Sequence, residues 1–306
     1  MRVLVTGGAG FIGSNIVDLL IASGHDVAVV DNLSTGKREN LDPSAEFHEV
    51  DITGDALDDV FAKVKPEAVI HEAAQINVRD SVENPAFDAS VNVLGSINLL
   101  ECLRRHDVGK IVYASSGGAV YGEPEQNPCD ESHSINPLCP YGASKYAVEK
   151  YLFIYNVNYG IDYTILRYSN VYGPRQDPLG EAGVVAIFTN KMLAGQSPMI
   201  FGDGDQTRDF VYVGDVAQAN LLALNAKTED RIFNIGSGVE SSVNDVTGHL
   251  LELTGSKANP EHGPEVKGEV RNICLDIGRA RSQLAWDPKV GLGHGLKMTV
   301  EWAKSI

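Results

Sequence analysis

The stretch TGGAGFIG, at residues 6–13, constrains the fold of this chain more than any other feature. It follows a short apolar run at Arg2–Thr6 and leads into Ile12–Ala22, where apolar residues recur at helical spacing. A second apolar run, DVAVVD at Asp26–Asp31, comes next. Glycines between a strand and a helix permit a tight turn and close packing of the helix on the strand. This order of strand, turn, helix and strand predicts the first unit of a parallel α/β sheet.

Short apolar runs and longer helical patterns keep alternating as far as about Tyr172, which predicts a Rossmann-type, doubly wound parallel sheet over residues 1–172. Further strands are predicted at Phe47–Asp51, Ala68–His71, Lys110–Ser115 and Tyr163–Tyr168. Further helices are predicted at Ala56–Lys63, Ala86–Arg105 and Tyr141–Asn158. After residue 172, glycine, proline and charged residues become frequent. We therefore predict a smaller C-terminal α/β lobe over residues 173–306 that binds substrate, with some later segments returning to the first domain.

Composition narrows the range of partners. The 306-residue chain has a net charge of −16, and neither nucleic acid nor an anionic membrane is expected to bind a protein without a basic face. The four cysteines form no C-x-x-C pair, and their spacing indicates neither a zinc site nor a disulfide framework. The start, MRVLVTGG, is too short for a signal peptide, and no apolar run approaches ~20 residues. We expect a cytoplasmic protein with reduced thiols and no bound metal.

The glycine turn also matches a dinucleotide-binding pattern. Gly8-x-Gly10-x-x-Gly13 fits it, and so does Gly7-x-x-Gly10-x-x-Gly13. The glycines let the backbone approach a pyrophosphate, which then faces the N-terminus of the helix. Asp31 ends the second strand, eighteen residues after Gly13, where a carboxylate can accept hydrogen bonds from ribose hydroxyls and repel a 2′-phosphate. The pattern favours NAD over NADP, although two basic residues soon follow and Asp31 could instead cap the DNLSTG turn.

A tyrosine and a lysine in the segment PYGASKYAVEKY can supply acid/base chemistry. Tyr141 and Lys145 are four positions apart, so they share one face of a helix that Pro140 would begin. A tyrosine titrates near pH ~10, but an ammonium and an oxidised nicotinamide both favour the phenolate. Tyr141 could then take a proton from a substrate hydroxyl while a hydride leaves the same carbon. A chance pair on a surface helix is the alternative for this short pattern.

A series of segments in fixed order, from residue 3 to about residue 238, strengthens this interpretation. They are VTGGAGFIGSN, VVDNLSTGKREN, VIHEAAQ, YASSGGAVYGE, PYGASKYAVEKY, LRYSNVYGPRQ, GDGDQTRDFVYVGDVA and FNIGSG. On these segments the sequence resembles the extended short-chain dehydrogenase/reductase family, and within it the nucleotide-sugar 4-epimerases of the UDP-glucose 4-epimerase type. The resemblance implies bound NAD, a UDP-hexose substrate and a transient 4-keto sugar, with no net redox change.

The resemblance also implies roles for individual residues. Tyr141 would be the acid/base and Lys145 would bind the nicotinamide ribose, with Ser116 as the candidate for a third catalytic hydroxyl. The residues implied to contact NAD are Gly7, Gly10, Phe11, Ile12, Gly13, Asp31, Asn32, Asp51, Ile52, Ala73, Ala74, Gln75, Asn92, Ser115, Tyr141, Lys145 and Tyr168. The residues implied to contact the UDP-sugar are Ser116, Tyr141, Asn170, Arg208, Arg271 and Ile273. The two arginines would grip the diphosphate, because a guanidinium fork matches phosphate oxygens.

The chain departs from its relatives at two places, and a third position bears on the choice of sugar. Many relatives carry a hydroxyl where this chain has Gly117, which leaves Ser116, or else Ser115 or a water, to take that role. Many relatives read R-P-G-D where this chain reads VKGE at residues 266–269, so the resemblance shifts a phosphate contact onto Arg271. Ile273 is of intermediate size at a position that borders the sugar, so N-acetyl sugars are neither favoured nor excluded.

Several activities remain open at this stage. Dehydratases and decarboxylases of the family keep an acid near residues 117–119, where this chain reads GGA, so both are disfavoured. Epimerases of UDP-N-acetylglucosamine or UDP-glucuronate stay possible, and a nucleotide sensor without catalysis is disfavoured because both Tyr141 and Lys145 are present. Relatives often form homodimers through two helices, which correspond here to Ala86–Arg105 and Tyr141–Asn158.

Overall fold

The structure is a computed structural model that describes residues 1–178, 183–265 and 270–306. Its strands are β1 (Arg2–Thr6), β2 (Asp26–Asp31), β3 (Glu46–Glu49), β4 (Ala68–His71), β5 (Lys110–Ser116), β6 (Asp162–Tyr168), β7 (Asn170–Tyr172), β8 (Met199–Phe201), β9 (Thr207–Tyr212), β10 (Ile232–Ile235), β11 (Glu240–Ser242), β12 (Glu261–Gly263) and β13 (Asn272–Ile273). Its α-helices are α1 (Phe11–Ala22), α2 (Ala56–Val64), α3 (Val78–Glu83), α4 (Pro85–Ala89), α5 (Gly95–Arg105), α6 (Gly117–Val120), α7 (Pro140–Tyr159), α8 (Val184–Leu193), α9 (Val213–Asn225), α10 (Val243–Thr254), α11 (Gly278–Gln283) and α12 (Leu292–Ala303).

The largest layer is a seven-stranded parallel sheet in the order β10-β6-β5-β4-β1-β2-β3. The chain order reverses between β1 and β4, and ligands of such sheets bind beyond the strand ends at this switch point. Alternate residues of β1 face opposite sides: Val3 and Val5 pack with α1 and α9, whereas Leu4 packs with α2 and α5. Burial on both faces explains why these strands read as unbroken apolar runs. The predicted Rossmann-type sheet is confirmed.

A smaller layer follows the large sheet. Strands β7, β9, β11 and β13 form a four-stranded sheet, and β8 pairs with β12. Helices α8, α10 and α12 pack on it around a third apolar core that includes Phe188, Phe210 and Leu250. Strand β10 and helix α9 lie beyond residue 172 but pack with the large sheet, as the prediction of returning segments allows. No helix among the described residues is long and apolar enough to cross a membrane.

Most predicted elements agree with the structure to within one residue at each end, and two differ by more. The strand predicted to reach Asp51 ends at Glu49, because the chain turns there and Asp51 Oδ1 accepts the N–H of Thr53 at 2.8 Å. The helix predicted as Ala86–Arg105 is interrupted by a π-helical turn at Ser90–Leu94, between α4 and α5. Such turns are rare and often lie at functional sites, and apolar periodicity does not reveal them.

Candidate active site

The glycine turn between β1 and α1 is shaped for a close-lying ligand. Gly7 has φ +68°, and a Cβ built on it would lie 2.6 Å from Ala73 N. A Cβ built on Gly13 would lie 2.8 Å from Gly8 Cα, so neither position tolerates a side chain. Gly10 caps α1 without any side-chain hydrogen bond, which leaves the first N–H groups of the helix to a ligand. These features fit a dinucleotide pyrophosphate beside Gly10, Phe11 and the partly buried Ile12.

Asp31 lies beside this turn with 8% of its surface exposed. Its Oδ2 accepts the N–H of Ala9 at 2.9 Å, and its Oδ1 accepts the N–H of Leu33 at 2.8 Å. Burial raises the pKa of Asp31, although both backbone hydrogen bonds oppose the increase. The carboxylate therefore does cap its turn. Each oxygen keeps a second lone pair, so the same group can also accept from a ribose hydroxyl.

The remaining residues predicted on the adenosine side lie close by. Asn32 Nδ2 donates to Asp51 Oδ2 at 2.8 Å, which joins the loops after β2 and β3. The side chain of Ile52 is 5% exposed and belongs to the core, where a Cβ on Gly95 would lie 2.9 Å from its Cδ1. The Asn32 and Asp51 side chains thus place polar atoms at the strand ends, whereas the Ile52 side chain is buried in the core.

Asn92 secures the loop that follows β4. Its Oδ1 accepts the N–H of Gln75 at 2.8 Å, and its Nδ2 donates to Gln75 O at 2.9 Å and to Ser144 Oγ at 3.1 Å. It is 2% exposed because the π-helical turn directs it inward. Asn92 therefore ties the predicted cofactor segment Ala73–Gln75, which includes Ala74, to α7.

The three predicted catalytic residues come together at the C-terminal end of β5. Pro140 is the first residue of α7, which places Tyr141 and Lys145 on one face. Lys145 Nζ donates to Ala114 O at 2.9 Å and lies 5.9 Å from the centre of the Tyr141 ring. The Ser116 hydroxyl, at the end of β5, is hydrogen-bonded to Tyr141. Tyrosine, lysine and serine can together move a proton to and from a bound hydroxyl group.

The charge states of these groups follow from burial. Burial raises the pKa of Tyr141 above its ordinary value, and the hydrogen bond with Ser116 opposes the increase. Burial lowers the pKa of Lys145, and the negative charges of Glu72 and Asp88 oppose that decrease. The expected lowering of the Tyr141 pKa is therefore not produced by the groups of the chain alone. It requires a further positive charge next to the phenol.

The two serines of YASSGGAVYG have different environments. Ser115 Oγ donates to Glu149 Oε1 at 2.6 Å inside the protein, because neighbouring side chains on a strand face opposite sides. Because Glu149 already accepts the Ser115 hydroxyl, the geometry favours Ser116 over Ser115 as the third hydroxyl. The contact of Ser115 with the cofactor stays a prediction. A Cβ at Gly117 would lie 2.6 Å from Leu275 Cδ1, so a side chain at this position would require the leucine side chain to shift.

Two of the predicted sugar residues, Asn170 and Ile273, line a small recess next to Ser116. Its walls are Gly118, Ser169, Asn170, Asp209, Ile273 and Leu275. A Cβ at Gly118 would be 4.0 Å from both Asn170 Oδ1 and Ser116 Oγ, so this glycine opens the space between them. Ile273 is 3% exposed and forms part of the wall. The structure thus brings Asn170 and Ile273 to the catalytic group.

The two predicted phosphate-binding arginines are close together: Arg208 lies on β9, and Arg271 directly precedes β13, which pairs with β9. Arg208 Nη1 donates to Thr207 O at 2.8 Å and to Arg271 O at 3.1 Å. Arg271 Nη2 is 2.7 Å from Asp203 Oδ2 in an exposed ion pair, so binding a diphosphate would replace this partner. Residues 266–269, where the sequence departs from R-P-G-D, lie outside the described residues.

Two acidic groups at the site were not predicted from the sequence. Asp209 is 1% exposed and accepts from Ser237 N at 2.6 Å and from Leu275 N at 3.3 Å. These donors come from distant segments, so no local pattern could reveal them. Glu72 directly precedes the predicted cofactor segment Ala73–Gln75, and this position in the sequence could have indicated that it lies at the site. Within the part of the chain that the structure describes, no group of three or more His, Cys, Asp or Glu side chains could hold a metal ion.

Comparison with known proteins identifies the family. The model of the NAD-dependent epimerase/dehydratase family matches residues 3–236. This chain belongs to the NAD-dependent epimerase/dehydratase family. A UDP-glucose 4-epimerase of Mycolicibacterium smegmatis is 46% identical over 310 residues, which cover 100% of this chain and 99% of that protein. The resemblance drawn from the ordered segments is confirmed.

Solved structures of family members agree with this assignment. The UDP-glucose 4-epimerase of Thermotoga maritima, solved with UDP-glucose, is 50% identical with a TM-score of 0.97, and the match covers 100% of this chain and 99% of that one. The Thermus thermophilus enzyme, solved as a complex with NAD, is 45% identical with a TM-score of 0.94 and 99% coverage of both chains. NAD is therefore the cofactor of this family member, and its own glycine turn and Asp31 fit that cofactor.

Proposed function

We propose that this protein is an NAD-dependent 4-epimerase of UDP-hexoses that interconverts UDP-glucose and UDP-galactose. The observation that carries the proposal is the convergence of Ser116, Tyr141 and Lys145 at one strand end. They lie beside the small recess that Asn170 and Ile273 line. Relatives with 45–50% identity over nearly the whole chain include enzymes solved with NAD and with UDP-glucose.

Different residues of the chain have different roles in the proposed reaction. The glycine turn and Asp31 hold NAD, which supplies an acceptor and donor of hydride when bound. Tyr141 takes the proton of the sugar 4-hydroxyl and later returns it, with Ser116 orienting both hydroxyl groups. The Lys145 ammonium stabilises the tyrosinate by its charge. Arg208 and Arg271 bind the diphosphate, and the hexose then lies beside Ser116. The result is inversion at one carbon without net redox change.

The same geometry argues against elimination of water. Dehydration needs an acid beside the sugar, and residues 117–119 supply none. Asp209 also lines the recess beside Ser116, but its oxygens already accept hydrogen bonds from Ser237, Gly238 and Leu275. The carboxylate of Asp209 is engaged in these hydrogen bonds, which hold the segments together. It is therefore not available to donate a proton to the sugar.

A substrate panel followed by NMR tests the function. Purified protein is incubated separately with UDP-glucose, UDP-galactose, UDP-N-acetylglucosamine and UDP-glucuronate. We expect UDP-glucose and UDP-galactose to reach the same equilibrium mixture, at a higher rate than either of the other two. Faster turnover of UDP-N-acetylglucosamine or UDP-glucuronate would show that this other nucleotide sugar is the substrate and would contradict the proposal. Tight NAD binding with no conversion of any sugar would favour a nucleotide sensor.

We further propose that the protein is a homodimer formed through α5, α7 and the turn between α4 and α5. Several large apolar side chains on these helices are exposed, among them Phe153 at 56%, Val157 at 64% and Leu94 at 61%. A monomer rarely exposes so many on adjacent helices, so this face is suited to a second copy of the chain.

The variant Phe153→Asp/Val157→Asp is expected to convert the dimer to a monomer, because two charges would be buried without partners. Light scattering coupled to size-exclusion chromatography gives the mass. Val239→Asp is the matched control, since Val239 is 62% exposed but lies far along the chain, between β10 and β11. A wild-type protein that is monomeric at micromolar concentration would contradict the proposal.

We also place the protein in the cytoplasm. The support is chemical: all four cysteines are free thiols, and Cys102, Cys129 and Cys274 are buried. Free thiols persist in a reducing compartment.

A further inference from the structure

Tyr113 places an aromatic ring close to the catalytic lysine. It lies on β5, three residues before Ser116, and 1% of its surface is exposed. Alternate residues of a strand face the same side of a sheet, so Tyr113 faces the same side as Ser115, which is bound to Glu149 of α7. The Tyr113 ring accordingly belongs to the core between the sheet and α7, the helix of the catalytic lysine.

The lysine ammonium lies over the face of this ring. Lys145 Nζ is 5.1 Å from the centre of the Tyr113 ring and 5.9 Å from the centre of the Tyr141 ring. A cation within about 6 Å of a ring centre is attracted by the negative face of the ring, most strongly where water is excluded. Lys145 is 3% exposed, so water screens this attraction little. Of these two rings, that of Tyr113 is the nearer to the ammonium.

A ring face suits an ammonium that must also bind a ligand. A lysine ammonium has three N–H donors, and one of those of Lys145 is used by Ala114 O at 2.9 Å. Attraction to a ring face requires no donor in a fixed direction. The Tyr113 ring can therefore stabilise the charge without using the hydrogens that would contact the nicotinamide ribose.

Other charged groups around the ammonium also affect it. Burial lowers the pKa of Lys145, and the negative charges of Glu72 and Asp88 oppose the decrease. Burial lowers the pKa of His71 to about 3, so this histidine is neutral near pH ~7. The titratable groups around the ammonium and the Tyr113 ring are His71 of β4, Glu72 directly after it, Asp88 of α4, Tyr141 of α7 and Glu149 of α7, which is paired with Arg167 of β6.

We propose that Tyr113 is a positioning residue of the epimerase, whose ring face holds the Lys145 ammonium beside Tyr141. A phenolate at Tyr141 needs a positive charge next to it, and the ring keeps that charge both ionised and in place. Tyr113 acts through Lys145 rather than on the sugar. The kinetic part of this inference rests on the proposed function.

Two variants separate the ring from the hydroxyl group. Tyr113→Leu removes the ring. Tyr113→Phe keeps the ring and removes only the hydroxyl, which makes a long hydrogen bond of 3.5 Å to Lys145 O. Tyr113→Met, whose unbranched side chain fills more of the space, replaces Tyr113→Leu if that variant does not fold.

The first measurement needs no substrate. The ε-CH₂ signal of Lys145 is followed by NMR in protein labelled at lysine, and it is assigned through Lys145→Arg. Hydrogens over a ring face are shifted upfield by its ring current, so we expect this shift in the wild type and in Tyr113→Phe and its loss in Tyr113→Leu. We also expect the midpoint of the pH titration of this signal to be about one unit lower in Tyr113→Leu. A Tyr113→Leu spectrum and midpoint equal to those of the wild type would overturn the proposal.

The second measurement is the pH profile of kcat/KM for UDP-glucose. We expect the alkaline limb to move to lower pH by about one unit in Tyr113→Leu, so that the rate on that limb falls about tenfold, and to stay in place in Tyr113→Phe. Tyr163→Leu is the matched control, because Tyr163 is a buried tyrosine of the same core on the neighbouring strand β6. It should keep the wild-type limb.

The control also separates a specific effect from a general loss of packing. A limb that moves equally in Tyr163→Leu and Tyr113→Leu would contradict the role of the Tyr113 ring. If the wild type converts no sugar but the Lys145 signal changes as expected, the proposed function fails while the effect of Tyr113 on Lys145 stands.

Discussion

Replacing Tyr141 with phenylalanine is expected to lower kcat for UDP-glucose about 10²–10⁴-fold while NAD stays bound. The phenol hydrogen-bonded to Ser116 is the group placed to exchange a proton with the sugar, and phenylalanine cannot do so. The ring itself remains, so the packing of α7 and the cofactor cleft should persist. The rate is measured by NMR and the bound NAD by its absorbance after release from denatured protein.

Tyr146→Phe is the matched control for this experiment. Tyr146 lies on the same helix but packs near Val120 and Tyr121. We expect its rate to stay within about twofold of the wild type, because surface and peripheral substitutions seldom disturb a site. A Tyr141→Phe variant as active as the wild type would show that another group carries the proton.

The second large expected effect is on stability, and it concerns the buried ion pair of Arg167 and Glu149. Arg167 donates from Nε to Glu149 Oε1 at 2.9 Å and from Nη2 to Glu149 Oε2 at 2.6 Å, and both side chains are at most 3% exposed. Burial acts to lower the pKa of Arg167, but hydrogen bonds and charge from Glu149 raise it above its ordinary value. The pair also holds Ser115 and Tyr121, so it supports the strand that ends in Ser116.

The variant Arg167→Met is expected to lower the free energy of unfolding by about 3–5 kcal/mol, because it leaves the Glu149 carboxylate buried without its partner. Urea denaturation followed by circular dichroism measures the change. The double variant Glu149→Met/Arg167→Met is the control and should recover most of the loss, since two apolar side chains bury no charge. A single variant within about 1 kcal/mol of the wild type would contradict the account of this pair.

Sequence patterns predicted those parts of the fold and site that depend on neighbours along the chain. The glycine turn, the Tyr141–Lys145 spacing and the apolar strand runs each act within about ten residues. Asp31 ends its strand as predicted. The different environments of Ser115 and Ser116 also follow from a local signal, because alternation along a strand sends neighbouring side chains to opposite faces.

The tertiary structure decided everything that depends on contacts between distant segments. The neighbour that crowds Gly117 is Leu275, which is far away in the sequence. Glu72 accepts a hydrogen bond from Tyr168, which lies two strands away in the sheet. Asp209 accepts hydrogen bonds from donors in distant loops. The sequence by itself determined the parallel sheet, the cofactor turn and the catalytic pair, because local periodicity and spacing encode them. The hydrogen bond between Ser115 and Glu149 and the charge environment of Lys145 emerged only on folding, because burial and electrostatic interactions act through space.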